Sequence, residues 1–212
     1  MHTNSPDFLP LHRLAVLASI DVVDAVQPGD LNRPTPCAGW RLVDLLAHMT
    51  VQHRGFAAAA RGSGADPAIW RAETVVDVVT ADPGAAYAAA AHDVLAAFAT
   101  DGTSGVAFAL PDFGPDVTVP GEMAMGFHFV DYAVHGWDVA AALGVPFELP
   151  AEVVAAVLPL ALAVPDGDFR EADGAPFARA IEGGNADDFD RLLRHLGRRP
   201  AWNQAYSTVT GA

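Results

Sequence analysis

One stretch, residues 121–143 (GEMAMGFHFVDYAVHGWDVAAAL), constrains this chain more than any other. His128, Asp131, His135 and Asp138 follow one another at spacings of three, four and three, which keeps all four on one stripe of an α-helix. Phe127, Phe129, Val130, Val134, Trp137 and Val139 fill much of the remaining circumference, so the helix is predicted to be largely buried. Imidazoles and carboxylates taken out of water are costly unless they are paired, hydrogen-bonded or bound to a metal. The stripe needs a partner.

Asp131 and His135 have the i, i+4 arrangement in which a carboxylate oxygen and an imidazole nitrogen can converge on one cation. Both are ordinary ligands for zinc, nickel, cobalt or ferrous iron, with zinc or nickel expected first. Two ligands do not make a tight site, and the best third is His48, in WRLVDLLAHMTVQHRGF. There Leu45, Met49, Gln52 and Phe56 mark one helix face and His48 lies on its flank. Two histidines and a carboxylate leave coordination positions open, as in reactive rather than structural sites. Asp138, one turn beyond His135, is placed to accept the second N–H of that ligand and fix its tautomer; a salt bridge to an arginine is the other reading. His128 is expected to support the ligands from behind rather than bind the ion. Taken singly, each histidine reads more readily as a hydrogen-bonded core or surface residue, so the argument rests on the constellation.

Three stretches in order, TPCAGWRLVDLLAH (35–48), ALPDFG (109–114) and VDYAVHGWDVAAALG (130–144), resemble actinobacterial proteins of the DinB-like superfamily, in the branch of the mycothiol-dependent maleylpyruvate isomerase metal-binding domain. The similarity spans roughly residues 8–145, and HGWD with an acidic residue four before its histidine is its most specific part. The resemblance implies an all-α fold, a DinB-like four-helix bundle. It also implies a divalent metal held by His48, Asp131 and His135, and activation of a thiol, mycothiol, for isomerisation of or transfer to a small electrophile. A non-catalytic metal- or small-ligand-binding protein of the same fold is the alternative. Two departures stand out. The isomerase-like pattern has Glu where this chain has Asp131, one methylene shorter. The helix carrying His48 opens at Arg41, where such proteins often have Ser or Thr, and Arg cannot accept the free N–H groups of a first turn.

Charge narrows the partners. Asp plus Glu number 26 against 12 Lys plus Arg, a net charge of −14, which argues against nucleic acid and against an anionic membrane. The expected partners are a small-molecule substrate or thiol, with a homodimer through an alanine-rich face as a further possibility. A single cysteine, Cys37, excludes an intramolecular disulfide. It lies in a turn ahead of a helix, where a thiol could be acidified, although a small buried apolar role is commoner. No run reaches the roughly 18 apolar residues of a membrane span. Asp7 precedes the first apolar run without a Lys/Arg-rich lead, so no signal peptide is read and a cytoplasmic protein is expected.

Along the chain, helices are predicted over residues 8–26, 41–61, 83–100, 151–164 (kinked or ended near Pro159) and 187–197, besides the central one. His53, five residues and about 500° around from His48, is read as a surface or supporting residue, and His92 as surface. Residues 62–83 read as a loop with a short helix near Trp70. The long connection 101–120 is expected to cross the open end of the bundle, with Phe108, Leu110 and Phe113 lining a pocket; a plain hairpin or crossover is as good a reading. Residues 165–185 read as loop, with PFARAI as an extended piece. With 51% hydrophobic residues over 212, the chain can bury a sizeable core. The expected organisation is a metal-binding bundle over 1–149 and a helical appendage, 150–212, packed on it.

Overall fold

A computed structural model describes residues 8–172, 175–183 and 187–202. Its frame is four helices: α1 (Leu9–Asp24), α2 (Leu42–Ala60), α4 (Pro83–Phe98) and α5 (Gly121–Leu143), with a six-residue helix, α3 (Val76–Ala81), ahead of α4. Among the described residues the fold is all-α apart from a short antiparallel hairpin, β1 (Ala107–Ala109) and β2 (Thr118–Pro120), in which Phe108 faces Val119. Helices α6 (Ala151–Leu162) and α7 (Asp188–His195) follow. No helix among the described residues is long and apolar enough to cross a membrane.

Two apolar clusters stack along the bundle and set the direction of its helices. Leu42, Leu45, Leu46 and Met49 of α2 meet Tyr132, Val139 and Ala142 of α5, with Val16, Val23, Tyr87 and Ala91 from the other two helices. Further along, Phe56 and Ala57 of α2 meet Ala124 and Met125 of α5, with Val94, Phe98 and Trp70. As α2 advances α5 recedes, so the two run antiparallel and share one long seam. A third cluster joins Ala15, Phe129, Ala133 and Val134 to Val153, Val157, Leu192 and Leu193, so α6 and α7 pack on the outer faces of α1 and α5.

Local chemistry explains several boundaries. Arg41 does supply no side-chain cap; instead the Asp44 carboxylate, in the first turn of α2, accepts the Arg41 backbone N–H at 2.9 Å. Gly144, at φ +74°, stops α5 in the left-handed conformation, and Arg33 donates to the Leu143 carbonyl at 3.1 Å. Pro159 does not end α6, which runs on to Leu162. The connection 101–120 forms the hairpin, whose turn carries Asp112 and Phe113. Phe108 and Leu110, expected at a pocket, are instead buried in the second cluster, whereas Phe113 is 61% exposed. The PFARAI stretch forms no strand; its Ile181 N–H bonds the Arg194 carbonyl at 2.9 Å.

Candidate metal centre

His48 and His135 face each other across the α2–α5 seam, their ring centroids 5.3 Å apart, with Asp131 between them. One Asp131 oxygen lies 3.2 Å from His135 Nε2 and the other 3.9 Å from His48 Nε2. One donor atom from each residue falls within 4.8 Å of the other two. Donors about 2.0–2.2 Å from a tetrahedral ion are about 3.3–3.5 Å apart, so a contraction of well under an ångström per donor brings all three onto one. Asp131 lies within ion-pair distance of both histidines.

The tautomers suit ligation. His135 Nδ1 is 2.8 Å from Asp138 Oδ2, and since a carboxylate can only accept, Nδ1 carries the hydrogen and Nε2 faces Asp131. Burial, with His135 and Arg198 nearby, outweighs the Asp131 charge and lowers the His48 pKa to about 4, so His48 is neutral at pH 7 and keeps a lone pair. Burial opposes protonation of His135 too, but the Asp131 charge and the bonds to Asp131, Asp138 and Cys37 lift its pKa well above the usual value. Burial would raise Asp131; the charge and hydrogen bond of His135, then His48 and Arg198, hold it below the usual carboxylate range. Without an ion, a proton thus occupies the bond between His135 Nε2 and Asp131.

Behind His135 lies a charged cluster, of which helical spacing announced Asp138 but not Cys37 or Arg198. Asp138 is fully buried, and its pKa is brought down to about 2: burial opposes ionisation, but the Arg198 charge and the His135 contact prevail. Cys37 Sγ donates to Asp138 Oδ2 at 3.2 Å, and Arg198 Nη2 donates to that oxygen at 3.0 Å and to the sulfur at 3.3 Å. Cys37, His135 and Asp138 make a second group of potential ligands beside the first, but the Arg198 guanidinium already supplies its cation. The turn TPCAGW sets Cys37 and Trp40: Thr35 Oγ1 donates to the Trp40 carbonyl at 3.0 Å, and Gly39 takes φ +80°. Trp40 leans on His48 with centroids 5.0 Å apart.

His128 is placed elsewhere. Its Nδ1 is 2.8 Å from His12 Nε2 and its Nε2 is 3.1 Å from His53 Nδ1, so neither nitrogen supports a ligand of the triad. His12, His53 and His128 form a buried imidazole chain between the two apolar clusters, stacked on Tyr132. Burial lowers the pKa of all three, that of His12 to about 3. The surface reading of His53 fails because α2 is enclosed on that side as well; its Nε2 is buried without a partner among the described residues. His92 is exposed, as read.

Further side chains flank the three candidate ligands. One turn along α2 from His48, Gln52 donates to Asp112 at 3.3 Å; one turn before Asp131, Phe127 stacks with Phe113 at 5.5 Å. His48 and Asp131 keep 27% and 20% of their side chains exposed, so solvent reaches both.

Fold and site together define an all-α bundle protein with a candidate metal centre on two antiparallel helices. The family described as "Mycothiol maleylpyruvate isomerase N-terminal domain" matches residues 12–140, and the chain belongs to that family, within the DinB-like superfamily. Its similar relatives include uncharacterized protein Rv0738 of Mycobacterium tuberculosis (strain ATCC 25618 / H37Rv), 31% identical over 176 residues, 81% of this chain and 86% of the relative. Uncharacterized protein MT0763 of Mycobacterium tuberculosis (strain CDC 1551 / Oshkosh) is similar to the same extent, 31% identical over 176 residues. No solved structure matches significantly.

Proposed function

We propose that the protein holds one divalent ion, zinc or nickel foremost, on His48, Asp131 and His135, and uses it to activate a low-molecular-weight thiol of the mycothiol type against a small electrophile. The convergence of His48 Nε2, His135 Nε2 and the Asp131 carboxylate, with His48 and Asp131 partly exposed to solvent, carries this reading. When bound, the ion supplies a Lewis acid that favours thiolate over thiol near neutral pH. The chain's residues do the rest. Asp138 holds His135 in the Nδ1–H tautomer, His48 is kept neutral by burial, and Asp131 draws the two histidines together. Trp40 and the Phe113–Phe127 pair offer apolar walls to the rest of the ligand.

The thiol part is tested with cobalt-loaded Cys37→Ser protein, in which the chain's only thiol is gone. Adding mycothiol should produce a thiolate-to-cobalt charge-transfer band that saturates at one equivalent. A spectrum unchanged by mycothiol contradicts thiol activation and leaves a metal-holding protein without that chemistry.

A further inference from the structure

Two donor sets meet at His135, one on each ring nitrogen. Through Nε2 the ring faces Asp131 and His48; through Nδ1 it faces Asp138 and Cys37. A cation that entered on the Nδ1 side would displace the hydrogen bond that orients the ring. What stands there is Arg198.

Its delivery to the core follows from the end of α7. Gly197, at φ +78°, donates to the Arg194 carbonyl at 3.0 Å, and the Arg198 backbone N–H donates to the Leu193 carbonyl at 2.8 Å, the paired bonds of a glycine-terminated helix. A Cβ on Gly197 would lie 2.7 Å from that of Ala178, so a side chain is excluded there for space as well as conformation. The chain is thereby turned inward at Arg198, which is only 5% exposed. Nη1 donates to the Leu196 carbonyl at 2.8 Å, and Phe177 lies under the guanidinium at 5.5 Å. Nε and Nη2 grip the two oxygens of Asp138 at 3.3 and 3.0 Å, with Nη2 also 3.3 Å from Cys37 Sγ. Such a planar two-pronged grip is one a lysine cannot reproduce.

We propose that Arg198 is a positioning residue of the metal centre: by clamping Asp138 it fixes the carboxylate on His135 Nδ1 and keeps Asp138 and Cys37 out of the ion's own shell. The inference rests on the proposed triad and extends it to the C-terminal appendage. Arg198 also cancels the charge of Asp138, leaving a divalent ion and Asp131 to set the charge of the centre. Orienting partners of ligand histidines typically change metal affinity 10–100-fold.

The test compares intact wild type with Arg198→Met, Arg198→Lys and Arg170→Met. Arg170 is a fair control, since it ties the same appendage through the Val164, Pro165, Ala178 and His195 carbonyls without touching the centre. Zinc affinity is read by competition with a chelating dye, and ligation from the spectrum of the cobalt-loaded proteins, at a temperature where circular dichroism shows each to be folded. Arg198→Met should bind zinc at least tenfold more weakly and gain a thiolate-to-cobalt band that Cys37→Ser removes; Arg198→Lys should recover part of the affinity; Arg170→Met should match wild type in both. Wild-type affinity and spectrum in Arg198→Met would overturn the proposal, as would an equal loss in Arg170→Met. If wild type takes up no ion, or His135→Ala binds as wild type does, the triad itself falls and the proposal falls with it.

Discussion

At the scale of single residues, the pairing of His135 with Asp131 and Asp138 has a measurable consequence. With its pKa lifted well above 6.5, His135 holds a proton on Nε2 at neutral pH, and an ion must displace it. Zinc uptake at pH 7 should therefore release about one proton and weaken as pH falls. Calorimetry in buffers of different ionisation enthalpy reads the proton number; a binding heat independent of buffer would show that His135 is already neutral. Asp138→Asn keeps the shape but loses the charge and can present its N–H to His135, so zinc affinity should drop about 10–100-fold. The candidate ligands were legible in the sequence because helical spacing alone groups Asp131 with His135, and the helix face marked by Leu45, Met49, Gln52 and Phe56 carries His48 on its flank, a position the family resemblance also picks out. Cys37 and Arg198 were not, for the contacts between Asp138 and both are 60 or more residues apart in the chain. No local pattern reports such a meeting.

Among the elements, α5 repays the reading given to it, as its apolar circumference is buried against α1, α2 and α6. Helices α1, α2 and α4 were likewise legible from apolar recurrence. The short α3 was hidden because six residues give fewer than two turns of periodicity. Pro159 lies inside α6, three residues before its end, and burial of Val157, Leu158 and Ala161 around it offsets the backbone bond it cannot donate. His53 misled. Pointing away from His48 meant pointing into a second polar cluster, which a single-face picture of α2 cannot show. Close packing makes one prediction here: a Cβ on Gly136, between His135 and Trp137, would meet the Phe147 ring at 2.5 Å. Gly136→Ala should cost about 1–3 kcal/mol by displacing that ring, and Gly136→Ala/Phe147→Leu should recover part of it in denaturant melts. A neutral Gly136→Ala would mean that the α5–α6 connection yields freely.

For the whole molecule, the buried imidazole chain ties stability to pH. His12, His53 and His128 are held neutral in the fold, with pKa values pushed below the 6.5 of an unfolded histidine. As pH falls below about 6.5, the unfolded chain takes up protons that the fold refuses, so stability is lost, by up to about 1.4 kcal/mol per pH unit for each histidine. His135 has the opposite sign: its contribution is complete below 6.5 and lost only as pH rises through its raised pKa. Asp138 adds stability above about 3.8 that is lost toward about 2. His48, lowered to about 4, acts in the same sense, so between pH 6.5 and 4 the imidazole chain and His48 dominate, and the melting temperature should fall steadily. His12→Phe should flatten that slope; an unchanged slope would show that His12 is not held neutral.

The central claim concerns one ion on three side chains, and metal stoichiometry tests it most directly. Untagged wild type and the His48→Ala, Asp131→Ala and His135→Ala variants, each reconstituted with zinc, desalted and assayed by elemental analysis, should give about one equivalent for wild type and little for any variant. A wild type without metal after reconstitution, or full metal in all three variants, would contradict the account and return the polar stripe of α5 to core structure.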